Sequence, residues 1–167
     1  MEERYEFDEV TFLSAFAVGV PGGRTFFLAV GQRGEWVRVW LEKEELQALA
    51  LAVHQLLLTV PQGRSRASPE RESMPLSGDT ASRLPSAELE ADEIALSYDQ
   101  ERASLDVLAH PSGPRVLERT ELHCRATLTQ LERFAEEALN VCAAGRQRCP
   151  LCGGPIDPSG HICPRNN

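Results

Sequence analysis

Apolar residues fall in two rhythms along this chain, and each change of rhythm marks an element. Residues 11–18 are rich in β-branched and aromatic side chains, and residues 24–30 (Arg-Thr-Phe-Phe-Leu-Ala-Val) form a nearly continuous apolar run. Both read as strands, separated by the turn chemistry of Val20-Pro21-Gly22-Gly23. After a second turn at Gly31-Gln32-Arg33-Gly34, residues 35–41 alternate, with Val37, Val39 and Leu41 on one face of a third strand. The period then lengthens. Leu46, Leu49, Ala50, Val53, Leu57 and Val60 make one stripe at helical spacing, which predicts a helix over about 42–59. Glu42, Glu44 and Glu45 complement the positive end of its dipole, and Pro61 cannot continue it.

Residues 61–87 break both rhythms. They are rich in Ser, Pro, Arg and Gly with little to bury, and read as a disordered linker. Order returns at 94–98 and 105–108, with a Pro/Gly loop following at 110–114. A last strand is expected at 120–126, then a helix at about 128–144 opened by a Thr127-x-x-Gln130 capping box and stopped by Gly145.

The second half echoes the first at an offset of 85. Val37, Val39 and Leu41 correspond to Leu122, Cys124 and Ala126. Leu46, Leu49, Ala50, Val53 and Leu57 correspond to Leu131, Phe134, Ala135, Ala138 and Cys142. The expected architecture is α+β: two pseudo-repeated βββα units (5–60 and 88–144) form an antiparallel sheet system, with both helices covering one face. On this pattern Cys124 and Cys142 are small core side chains. His54 and His123 fall on a helix flank and on the opposite strand face.

The remaining 23 residues, 145–167, form a separate tail and hold the other three cysteines. Cys149-Pro150-Leu151-Cys152-Gly153 is a tight knuckle that aims two sulfurs at one point. Asp157-Pro158-Ser159-Gly160 reverses the chain. His161 and Cys163, two apart in an extended arm, share a face. Cys149, Cys152, His161 and Cys163 are therefore the candidate metal ligands, suited to a tetrahedral zinc. His161 is taken as the fourth donor because Asn166 stands where a zinc ribbon commonly carries its last Cys. Redox chemistry at Cys-x2-Cys and a disordered tail are the alternatives. Four protein donors leave no open position, so a structural Zn²⁺ is expected rather than a catalytic one.

Composition adds limits. Net charge is −8, and the tail contributes +2 from Arg146, Arg148 and Arg165 against Asp157, so residues 1–144 carry −10. Such a body repels phosphate backbones, and the tail has no aromatic residue on which to stack a base. There is no run of the ~18–20 apolar residues that a membrane span needs, and the first residues lack signal-peptide character. With cysteines in a metal pattern, the expected location is cytoplasmic. No nucleophile elbow, phosphate-binding Gly-rich loop or His-Glu-x-x-His stands in the sequence. Arg24, beside the Pro21-Gly22-Gly23 turn, is a candidate anion-binding residue.

Two segments, Val18-Gly19-Val20-Pro21-Gly22-Gly23-Arg24-Thr25-Phe26-Phe27-Leu28 and the Cys149-Pro150-Leu151-Cys152-Gly153…Gly160-His161-Ile162-Cys163-Pro164-Arg165 tail, resemble an uncharacterised bacterial, mainly actinobacterial, domain-of-unknown-function family, number three-zero-nine-zero. The resemblance implies the domain layout and the metal site. It implies no reaction. The reading is then of a non-enzymatic adaptor or regulatory protein that uses a zinc knuckle to contact an unknown protein partner. Its alternatives are an enzyme or small-molecule or anion binder using a cleft between the repeats, and nucleic-acid binding through the tail.

Overall fold

The computed structural model describes residues 2–32, 34–60, 84–91, 93–99, 101, 104–110, 119–145, 147–154, 156 and 160–166. Strands β1 (Glu2–Phe7), β2 (Phe12–Val18), β3 (Thr25–Gln32) and β4 (Glu35–Leu41) lead into helix α1 (Lys43–Thr59). Strands β5 (Ala87–Glu90), β6 (Glu93–Asp99), β7 (Ser104–His110) and β8 (Arg119–Thr127) lead into helix α2 (Leu128–Ala143).

Two four-stranded sheets result, ordered β1-β8-β7-β6 and β2-β3-β4-β5. Within each, three strands that are consecutive in the chain pair antiparallel, and the fourth is a parallel edge strand supplied by the other half. β1 lies along β8 with Tyr5 opposite Leu122 and Phe7 opposite Cys124, while β5 lies along β4 with Leu89 opposite Val39. The α+β class thus stands, but the sheets are mixed rather than antiparallel, and each half has four strands where three were expected. The missed strands are EERYEF and AELE. Both are dense in charge, and their partners are far along the chain, so no local hairpin signal announces them. The linker reading of 61–87 falls mostly outside the described residues. At its end Ser86 donates its N–H to the Trp36 carbonyl (2.8 Å), and Ala87 already belongs to β5.

Both sheets and both helices bury side chains in one core. Leu13, Leu28, Val30, Val37 and Val39 from one sheet meet Leu122, Cys124 and Ala126 from the other, with Leu46, Ala50 and Val53 of α1 and Leu131, Phe134 and Ala138 of α2. Helix α2 packs against α1 and across β2. Its start is tied down by one side chain. The Gln130 Oε1 accepts from the Thr127 N–H (2.9 Å), Thr127 Oγ1 accepts from the Gln130 N–H (3.2 Å), and Gln130 Nε2 donates to the Val10 carbonyl (2.8 Å). Val10 sits where the chain leaves β1 for the other sheet. Gln130 therefore holds the crossover against the helix.

The opposite face of the β2–β5 sheet carries a second cluster: Phe12, Phe27, Ala29 and Trp36 are buried, with Phe16 and Trp40 beside them. The Arg38 guanidinium lies 5.0–5.2 Å from the rings of Phe27, Trp36 and Trp40. Glu88 of β5 accepts from Arg38 (2.9 Å) and from Trp40 Nε1 (3.0 Å), which pins the exchanged edge strand to this face. The unbroken apolar run of β3 is the sequence trace of a strand buried on both sides.

Candidate metal centre

The knuckle follows directly from glycine and turn geometry. Gly153 adopts φ +72 and Gly160 φ +110, conformations that side-chain-bearing residues rarely take. Gly153 donates its N–H to the Cys149 carbonyl and Cys149 donates to the Gly154 carbonyl (2.8 Å each), which closes the loop around both cysteines. The Ile156 N–H donates to the Gln147 carbonyl (2.7 Å) and the Asn166 N–H to the Cys163 carbonyl (3.1 Å). Arg165 ties the returning arm to the Leu151 carbonyl (3.2 Å).

These bonds bring together the four residues named from the spacing. One donor atom from each of Cys149, Cys152, His161 and Cys163 lies within 4.8 Å of every other. The Cys149 and Cys163 sulfurs are 3.7 Å apart, and Cys152 Sγ is 3.1 Å from His161 Nε2. Two sulfurs held ~2.3 Å from a common tetrahedral centre would be about 3.8 Å apart. The 3.7 Å edge meets that requirement and is far beyond a disulfide bond length. All three are free cysteines. The donor set is thus able to hold a metal ion.

Electrostatics favour the ligating form at one corner. Backbone N–H groups of Cys152 and Leu151 point at the Cys149 sulfur and lower its pKa to about 6. The Gly154 N–H likewise reaches Cys152 Sγ (3.4 Å). Burial pushes the Cys163 thiol up, against the pull of the Arg165 N–H. A cation at the centre would reverse that shift, because a coordinated thiol is deprotonated outright.

The other two cysteines lie elsewhere. Cys124 is fully buried in the core, and Cys142 is 5 % exposed at the end of α2. Arg24 is not among the metal donors: it donates to the Val141 carbonyl at the end of α2 (3.3 Å) and stacks over Phe26 (5.5 Å). Among the described residues no helix is long and apolar enough to cross a membrane.

No curated protein and no solved structure matches the chain. A family model does match, over residues 5–163, and its description is "Protein of unknown function (DUF3090)". The match spans the body and all four donors.

Proposed function

The chain belongs to the DUF3090 family of unknown function, and we propose that its last residues form a structural zinc knuckle that a non-enzymatic adaptor presents to a protein partner. The observation that carries this reading is the four-donor cluster, with its donor atoms mutually within 4.8 Å. Three thiols and one imidazole are soft and borderline donors, which suit zinc rather than magnesium or calcium. Four protein ligands fill a tetrahedral shell, so a bound Zn²⁺ would supply folding free energy rather than a reactive position. Zinc-finger peptides gain on the order of 10–16 kcal/mol this way, which a tail with so little apolar surface needs.

The partner class is argued from what the knuckle exposes. Leu151, between the first two cysteines, is 52 % exposed, and Ile162, between His161 and Cys163, is 93 % exposed. Apolar side chains held outward on a rigid loop suit burial against another protein. An internal duplication also fits the shared order of four strands and a helix and the reciprocal exchange of edge strands.

The test is elemental analysis of untagged, chelator-free protein beside Cys149→Ser and His161→Ala, followed by affinity capture with Leu151→Ser/Ile162→Ser. About one zinc per chain, lost in Cys149→Ser, supports the centre. Capture of a defined partner that disappears in the Leu151→Ser/Ile162→Ser variant, with its zinc retained, supports the adaptor role. Absence of zinc, with the tail thiols oxidised in pairs, would move redox chemistry to the front.

A further inference from the structure

A cleft of about 380 Å³ lies where the body meets the knuckle, lined by Gly22, Arg24, Glu42, Lys43, Gly145 and Arg148. Three elements distant in sequence converge on it: the turn before β3, the start of α1, and the residue preceding the first metal donor. The cleft carries three cations against one carboxylate in a chain whose net charge is −8. Among the described residues, none of the three pairs with a carboxylate. Arg24 spends one nitrogen on the Val141 carbonyl (3.3 Å), and Arg148 spends one on the Gly153 carbonyl (3.5 Å). Each holds further donors in its guanidinium fork. Phe26, under the Arg24 guanidinium, keeps that side chain against the cleft wall.

We propose that this cleft binds a small phosphorylated ligand, with Arg24, Lys43 and Arg148 as its anion-binding residues. A surplus of two positive charges matches a phosphate near its dianionic form, and three oxygens serve three cations approaching from different sides, where a carboxylate offers two. The volume lies in the range of small-molecule sites. The backbone can come close because Gly22, at φ +95, turns without a side chain. A polyanion is disfavoured by the acidic body, whereas a compact phosphomonoester fits within the cleft. Two of its three cations, Arg24 and Lys43, belong to the body, and only Arg148 is carried by the knuckle.

The experiment is isothermal titration of the full chain at low salt with inorganic phosphate, ribose 5-phosphate, acetate and a short single-stranded oligonucleotide. Saturable one-to-one binding of a phosphate species at about 1 mM or tighter is expected, with acetate much weaker. Lys43→Ala and Arg148→Ala change exposed side chains, so both proteins should fold. Each should weaken phosphate binding about tenfold, as loss of a charge-assisted hydrogen bond does, and Arg4→Ala, on the remote β1, should leave it unchanged. Preference for ribose 5-phosphate over inorganic phosphate would identify a phosphorylated metabolite as the ligand; equal affinity would identify free phosphate. No saturable binding, or binding indifferent to Lys43→Ala and Arg148→Ala, would overturn the proposal. So would an oligonucleotide that binds more tightly than ribose 5-phosphate through the same residues. A chain found free of zinc would still lose phosphate binding on Lys43→Ala, so the two readings fail separately.

Discussion

Consider replacing Gln130, 2 % exposed at the first turn of α2, with alanine. Two hydrogen bonds vanish: the one its Oε1 accepts from the Thr127 N–H and the one its Nε2 donates to the Val10 carbonyl. Each backbone group is left without its partner in a protected place, at about 1–3 kcal/mol apiece. The expected loss is therefore roughly 2–5 kcal/mol, and at about 2–4 °C per kcal/mol for a chain of this size the melting temperature should fall by roughly 5–15 °C. Thr127→Ala removes only the cap and should cost about 1 kcal/mol. The informative comparison is Gln130→Glu. It keeps an acceptor for the Thr127 N–H but sets a carboxylate oxygen against the Val10 carbonyl, so at neutral pH it should be at least as damaging as alanine. It should recover at acid pH, where the protonated carboxyl can donate. Urea unfolding followed by circular dichroism at pH 7 and pH 4 reads all four proteins. A Gln130→Ala protein within about 0.5 kcal/mol of the parent, or a Gln130→Glu protein equal to it at pH 7, would refute the claim that this side chain ties the crossover to the helix.

Gly31 should tolerate no side chain: a Cβ there would lie 2.4 Å from the Phe12 ring and 2.6 Å from the Glu35 carbonyl oxygen. Gly31→Ala is expected to cost about 1–3 kcal/mol by forcing β3 and β4 apart, and an unchanged urea midpoint would count against it. Burial raises the Glu137 carboxyl above its ordinary 4.5, against the pull of the Ala15 amide, Arg133 and Ser14. An acid whose folded pKa is raised penalises the fold once ionised, so that penalty is absent below about 4.5 and complete above the raised value. Glu137→Gln should therefore stabilise the protein at pH 7 and not at pH 4; thermal melts giving the reverse trend would show that the Ala15 and Ser14 hydrogen bonds outweigh burial. Zinc affinity should weaken steadily as the pH falls, because protons compete with the metal for its thiolate ligands, the Cys163 thiol, pushed up by burial, among them. A colorimetric chelator followed from pH 8 to pH 5 measures this, and full retention at pH 5 would argue against a proton-competed thiolate site.

Much of this protein was legible without coordinates because its signals are local. The helical stripe from Leu46 to Val53, the Thr127/Gln130 box and the alternation of Val37, Val39 and Leu41 each need only a few neighbouring residues to declare themselves. So does the knuckle, since Cys149, Cys152, His161 and Cys163 fall within fifteen residues and the turns between them are short. What the sequence could not disclose are the encounters between distant segments. Strands β1 and β5 find partners more than forty residues away, in registers that their own charged sequences do not encode. Gln130 reads as half of a capping box, and only the packed chain reveals its third bond to Val10. Arg24, Lys43 and Arg148 are scattered surface charges along the chain; packing of α1, the β3 turn and the knuckle against one another turns them into one cleft. Local periodicity and turn chemistry are properties of contiguous residues, whereas edge exchange and charge convergence depend on how a single shared core draws remote segments together.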